Sequence, residues 1–255
     1  MFLIFGNPVD HSKSPLMHNY FLKKAGIKEC YGRYRLENGA EIIEKFKELK
    51  IKGANVTVPH KEHAFRLADE VRGIAKEIGA VNTLVEENGK IIGYNTDAPG
   101  FLEAVKEFDY KSVLIIGAGG TAKALSLVLP EADILNRSEK RLSYFKEKNK
   151  NAFTWESICR FEYDLVINTT SAGLCDNSLP ADERILKELF SNAKYAVDVI
   201  YGKETPFLKL AKKYGLKTKT GLDMLVYQGV LAMELFLHTK LERKKTAEIY
   251  FEILR

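Results

Sequence analysis

One junction in the middle of the chain constrains the fold more than any other feature. Ser112 to Ile116 read as a buried strand, run directly into Gly117-Ala118-Gly119-Gly120-Thr121-Ala122, and precede a helical stretch that ends before Pro130. With a strand before it and a helix after it, the GxGxxA spacing has a physical meaning. The glycines permit a tight turn and let backbone N–H groups approach a pyrophosphate at the positive end of the helix. A Rossmann unit is therefore expected from Ser112 to Arg141. Where an NAD-binding unit carries Asp or Glu for the ribose hydroxyls, this chain has Asn136-Arg137-Ser138, with Arg141 one turn further on. Guanidinium groups fork onto a phosphate that a carboxylate would repel, so the pattern favours NADP(H). The plainer alternative is a pair of solvated arginines at a helix start.

Short apolar strands alternate with amphipathic helices through most of the chain, the pattern of α/β layering. In the first part strands are expected near 2–6, 30–36, 53–58 and 81–86, with helices from Pro15 to Ala25, closed by Gly26, and from Ala40 to Leu49. Asn88-Gly89 is a type I′ hairpin signal and predicts an antiparallel pair. From Lys111 the rhythm becomes a series of buried strands: SVLII, ADILN, YDLVIN and YAVDVIY. A boundary near residue 98 follows. Residues 1–98 and 222–255 are expected to form an N-terminal α/β substrate-binding and catalytic domain, and 99–221 a Rossmann-like doubly wound NADP-binding domain. The stretch DMLVYQGVLAMELFL is apolar nearly all round, which implies burial on more than one side. It is expected between the two domains, as a helical return to the first.

Composition narrows the function classes. The chain is 45% hydrophobic and 29% charged, which is ordinary for a folded protein. Lys and Arg exceed Asp and Glu by 39 to 34, but the signs are interleaved without an aromatic-basic module. Nucleic acid is not an expected partner; small anionic ligands are. Cys30, Cys159 and Cys175 show no CxxC spacing, and the five histidines form no HExxH, so neither disulfides nor a metal site are expected. No run reaches the ~20 apolar residues of a membrane helix. A reducing cytoplasm is the expected compartment. His60 and His63 read as a solvated helix turn, and Cys175 as an incidental loop residue.

The first half also places polar residues at strand ends and helix starts, where open α/β sheets bind ligands. Three stretches stand out: HSKSPLMHN (His11 to Asn19), NVTVPHK (Asn55 to Lys61), and AVNTLV with GYNTD (Ala80 to Val85 and Gly93 to Asp97). Ser14 before Pro15 also reads as a helix N-cap, whereas Ser12 has no such local use. Asn55 and Thr57 fall on one face of a strand; a solvent-facing edge strand is the alternative. Lys61 stands in the first turn of a helix, against the dipole, and a broken local rule often marks function. Asp97 can be a capping carboxylate or the partner of Lys61. An ammonium with a carboxylate to orient it is the pair that carbonyl reduction needs.

Taken with GAGG, NRS, NTTSAG and the late GLDMLVYQG, the SxSP stretch, NVTVPHK, AVNTL and GxNTD make the chain resemble the shikimate dehydrogenases along essentially its whole length. The resemblance implies NADPH-dependent, reversible reduction of 3-dehydroshikimate to shikimate, in the shikimate pathway of aromatic amino acid biosynthesis. It implies that Ser12, Ser14, Asn55, Thr57, Asn82, Asp97 and Gln228 hydrogen-bond the substrate, with Lys61 and Asp97 as the catalytic pair. It assigns Gly117, Ala118, Gly119, Gly120, Thr121, Asn136, Arg137, Ser138 and Arg141 to the cofactor, and Thr169, Val199, Tyr201, Gly221 and Met224 to its nicotinamide side. Thr121, Lys123 and the CDNSLP loop after Leu174 depart from the family pattern. An NAD-accepting quinate/shikimate dehydrogenase and a catalytically silent NADP-binding regulator are the alternatives. A homodimer is left open.

Overall fold

A computed structural model describes residues 1–254 of the 255-residue chain. The chain divides into two compact units, Met1–Gly100 with Val226–Arg255, and Phe101–Leu225.

The first unit is built from β1 (Phe2–Gly6), α1 (Ser14–Lys24), β2 (Tyr31–Arg35), α2 (Ile42–Glu48), β3 (Gly53–Val56), α3 (Lys61–Leu67), β4 (Glu70–Val71), α4 (Ala75–Ile78), β5 (Thr83–Glu87), β6 (Lys90–Tyr94) and the start of α5 (Asp97–Val105). Its strands lie in the order β2-β1-β3-β5-β6-β4. The β1 pairings with β2 and β3 are parallel, while β5 runs antiparallel to both β3 and β6. The hairpin expected at Asn88-Gly89 is present: Glu87 faces Lys90, and the two loop residues have φ of +53° and +77°, the left-handed pair a type I′ turn demands. Gly26, at φ +66°, follows the last turn of α1 as expected.

The second unit runs through β7 (Val113–Ile116), α6 (Gly120–Val128), β8 (Asp133–Leu135), α7 (Ser143–Glu147), β9 (Ala152–Phe153), β10 (Leu165–Asn168), α8 (Glu183–Asn192), β11 (Tyr195–Asp198), α9 (Pro206–Lys213) and β12 (Lys217–Lys219) to the start of α10 (Gly221–Phe236); α11 (Arg243–Leu254) ends the chain in the first unit. All its strand pairings are parallel, in the order β12-β11-β10-β7-β8-β9. The order reverses at β7/β10, the switch point of doubly wound dinucleotide-binding sheets. Alternate side chains feed two separate cores. Val113, Ile115, Ile134, Leu165, Ile167 and Val197 join one, and Leu114, Ile116, Leu135, Val166 and Ala196 the other. Burial on both faces explains why these strands read as continuous apolar runs.

In the first unit the helix that begins at Asp97 and the helix that carries Gln228 touch at Gly100. A Cβ built on Gly100 would lie 2.6 Å from the backbone nitrogen of Gln228 and 2.7 Å from its Cα. No helix among the described residues is long and apolar enough to cross a membrane.

Helix propensity alone would make Gly100→Ala stabilising by about 0.5–1 kcal/mol. The added methyl, however, meets backbone rather than a flexible side-chain tip, and overpacking of that kind costs about 1–3 kcal/mol. Denaturant unfolding of Gly100→Ala is therefore expected to show a net loss of stability. A net gain would mean that the two helices do not touch there.

Candidate active site

Lys61 is the first residue of α3 and Asp97 the first of α5, and the Lys61 ammonium donates to Asp97 Oδ2 at 2.7 Å. The side chains keep 34% and 21% of their surface, so the pair is screened but reachable. Capping does not account for Asp97. Asn95 Oδ1 accepts the N–H groups of Asp97 and Ala98 at 3.1 and 3.3 Å and is itself the cap of α5. The Asp97 carboxylate is left to face Lys61. Ser14 likewise does not cap α1. The cap position is Lys13, which makes no side-chain capping bond, and Ser14 donates its own N–H to Ser12 Oγ at 3.3 Å.

Asn55 lies on β3, which is flanked by β1 and β5 and is not a solvent-facing edge. It is buried, as are Asn82, Thr83, Thr96 and Gln228, while Thr57 just beyond the strand is half-buried. These side chains satisfy one another. Asn82 Oδ1 accepts from Thr96 N at 2.8 Å and Thr83 Oγ1 at 3.0 Å, and its Nδ2 donates to Thr96 Oγ1 at 3.0 Å. Asn55 Nδ2 reaches Thr83 Oγ1 at 3.2 Å, and Thr96 Oγ1 lies 3.5 Å from Gln228 Oε1. Thr83, Asn95 and Thr96 belong to the AVNTL and GYNTD stretches, where nothing local sets them apart from their neighbours. Tyr31, whose hydroxyl donates to Asn55 Oδ1 at 2.6 Å, carries no local signal.

His60 and His63 are not a solvated turn. His60 is 1% exposed, its Nε2 lies 2.6 Å from the Leu36 carbonyl, and its ring centroid is 6.1 Å from that of His63. The reason is tertiary: Gly39 leaves room for both rings, and a Cβ there would sit 2.7 Å from each Nδ1.

In the second unit the glycine turn has the shape its sequence implies. Gly117 has φ +118°, and a Cβ on it would lie 2.5 Å from Thr169 Oγ1, which in turn donates to the Ile116 carbonyl at 2.8 Å. At Gly119 and Gly120 a Cβ would meet nothing within 4 Å. That open cradle, with half-buried Thr121 beside it, sits before the first-turn amides of α6, the setting that receives phosphate. Beyond β8, Asn136 Nδ2 donates to the Ser138 carbonyl at 2.9 Å, and Arg137, Ser138 and Arg141 are all exposed. No carboxylate stands at position 136, so the donor set suits a phosphorylated ribose. Lys123, one of the departures, places Nζ 4.4 Å from the Tyr144 ring centroid, a cation–π contact.

Val199 and Gly221 meet closely: a Cβ on Gly221 would lie 1.9 Å from the Val199 carbonyl oxygen, so only glycine fits. Tyr201 is more than a third exposed, while Met224 packs partly buried against the core that contains Ile115 and Ile167. Asp198 goes beyond the sequence expectations. Its carboxylate accepts from Asn168 Nδ2 at 3.0 Å, Thr205 Oγ1 at 2.7 Å and Ile200 N at 3.0 Å, which ties the ends of β10 and β11 to the loop carrying Val199 and Tyr201. Burial pushes this carboxyl up despite those donors. The CDNSLP loop has its own staple. Asp176 Oδ1 accepts from Gly173 N and Ser178 N at 3.0 Å each and from Ser178 Oγ at 2.7 Å, and the Ser178 bonds hold its pKa below the usual range.

Comparison with known proteins gives concordant matches. A family model described as the shikimate dehydrogenase substrate binding domain matches residues 4–84. The NADP-dependent shikimate dehydrogenase of Helicobacter hepaticus is 47% identical over 266 residues, covering 99% of this chain and 98% of that protein. That of Helicobacter pylori strain P12 is 43% identical, with 97% and 96% covered. Among solved structures, shikimate 5-dehydrogenase from Thermus thermophilus, in complex with NADP(H) and shikimate, aligns with a TM-score of 0.86 at 33% identity and covers 99% of this chain and 98% of its own.

If Asn95 and not Asp97 caps α5, hydrogen exchange should separate them. Asn95→Ala is expected to cost about 1 kcal/mol and to speed exchange at the Asp97 and Ala98 amides. Asp97→Ala is expected to leave the exchange of Ala98 close to its original rate; the reverse result would return the capping role to Asp97.

Proposed function

We propose how the chemistry is divided among the residues of this chain, which belongs to the shikimate dehydrogenase family. The protein reduces 3-dehydroshikimate to shikimate reversibly with NADPH. The observation that carries this reading is the 2.7 Å pair of Lys61 and Asp97 at the starts of two helices of one unit, with buried amides and hydroxyls in the same unit. Bound NADPH supplies the hydride. As negative charge develops on the substrate oxygen, the Lys61 ammonium donates a proton to it from Nζ. A positioned acid of this kind contributes about 10²–10⁴-fold. Asp97 orients the ammonium and accepts a hydrogen bond from a substrate hydroxyl. Ser12, Ser14, Asn55, Thr57, Asn82 and Gln228 bind the substrate carboxylate and remaining hydroxyls. Asn55 and Asn82 are already paired with neighbours, so little reorganisation is needed on binding.

On the cofactor side, Gly117, Ala118, Gly119, Gly120 and Thr121 receive the pyrophosphate. Asn136, Arg137, Ser138 and Arg141 receive the adenosine 2′-phosphate, and Thr169, Val199, Tyr201, Gly221 and Met224 the nicotinamide end. Cys30, Cys159 and Cys175 are free and exposed, which fits our placement of the enzyme in the reducing cytoplasm, where it serves aromatic amino acid biosynthesis.

The reading is tested by following oxidation of shikimate and of quinate with NADP and with NAD. Turnover of shikimate with NADP is expected to exceed the other three combinations, and no turnover of shikimate with either cofactor would overturn the assignment. Arg137→Ala is expected to weaken NADP(H) by about 1.5–3 kcal/mol, the loss of a charge-assisted contact, with NAD nearly unchanged. Equal weakening of both would move Arg137 away from the 2′-phosphate.

A further inference from the structure

Building on the reading that Asn55 binds substrate, we propose that Tyr31 is its positioning residue, its buried hydroxyl fixing the Asn55 amide in the orientation that receives substrate. Tyr31 opens β2, the edge strand of its sheet, yet is only 3% exposed. Its hydroxyl donates to Asn55 Oδ1 at 2.6 Å. The phenol thus holds a residue that lies 24 positions away in sequence and that the proposed site uses.

The physical need is specific. The two ends of an asparagine amide are almost the same size, so a half-turn of the group exchanges donor for acceptor at little steric cost, and only its hydrogen-bond partners decide between the two. With Oδ1 held by the Tyr31 hydroxyl, the Asn55 NH₂ is turned toward the Asn82 carbonyl at 3.3 Å and Thr83 Oγ1 at 3.2 Å. Those two bonds are long and the Tyr31 bond is short. A substrate oxygen that displaces either of those long bonds meets a donor.

The surroundings keep Tyr31 in the form that can donate. Burial holds its hydroxyl protonated, well above the usual range for a phenol. Its ring stacks on His18, with centroids 4.5 Å apart and planes 23° apart, and burial drives the His18 imidazole down to about 3, so the stacked ring is neutral. His18 Nδ1 lies in turn 2.8 Å from the Tyr250 hydroxyl on α11. The C-terminal helix thereby fixes the histidine against which Tyr31 packs.

Tyr31→Phe removes one oxygen and leaves the ring in its slot. It is expected to raise KM for shikimate about tenfold, with kcat and KM for NADP within a few-fold and the melting temperature within a few degrees of the original. Added to Asn55→Ala, it is expected to have no further effect on KM, since the group it positions is gone. Asn55→Asp, which keeps an acceptor for Tyr31 but removes the NH₂ donor, is expected to raise KM as Asn55→Ala does. If Asn55→Ala raises KM but Tyr31→Phe does not, Tyr31 is not the positioning residue and the site reading stands. A Tyr31→Phe effect that persists in the Asn55→Ala background, or an Asn55→Asp variant that binds shikimate normally, also overturns the proposal. Should Asn55→Ala leave KM unchanged, the reading of Asn55 as a substrate-binding residue falls, and the proposal with it.

Discussion

The first unit depends on keeping a seam of amides and hydroxyls dry without leaving any of them unpaired. Asn55, Asn82, Thr83 and Thr96 are all at most 5% exposed, and each buried polar group left without a partner would cost about 1–3 kcal/mol. Their mutual bonds remove that penalty and leave few alternative arrangements. The Asn82 side chain bonds both the backbone and the hydroxyl of Thr96, the residue just before Asp97, while Asn95 caps the helix that Asp97 begins. The orientation of the Asp97 carboxylate toward Lys61 thus follows from the pairing of its neighbours. The ion pair itself is part-exposed, and its contribution to stability is small. In the proposed mechanism its role is to place the proton donor.

The second unit meets the same constraint with a charged group. Asp198 is fully buried and carries three donors, an arrangement that is costly to leave incomplete. It ties the ends of two strands to the loop from which Val199 and Tyr201 project. The glycines act in the opposite way, by omission. Gly117 lets Thr169 come close, Gly221 lets the Val199 carbonyl come close, and Gly119 and Gly120 leave space open in front of α6.

Much of this is legible in the sequence where the physics is local. The GAGGTA turn, the Asn88-Gly89 hairpin, the four buried strands of the second unit and the helix closed by Gly26 each follow from residues within a few positions of one another. The two- and three-residue strands at the sheet edges, Ala152–Phe153 and Lys217–Lys219, carry no apolar pattern long enough to read. Capping is misleading at Ser14 and Asp97 because both residue types favour caps, while the competing bonds, from Ser14 to Ser12 and from Asn95 to the α5 amides, depend on how the loops close. His60 reads as exposed because nothing in its vicinity in sequence reveals that the Leu36 carbonyl and Gly39 enclose it. Tyr31 is invisible for the same reason: its partner Asn55 is 24 residues away, and an aromatic residue on a strand is core by default.

The most direct test of Lys61 as the proton donor is the steady-state kinetics of Lys61→Ala with shikimate and NADP, set beside the unaltered protein. If the ammonium acts chiefly in the transition state, kcat falls by orders of magnitude while KM for shikimate stays within a few-fold. A near-normal kcat with a raised KM would contradict that role, make Lys61 a substrate-binding cation, and move proton transfer to Asp97 or a bound water.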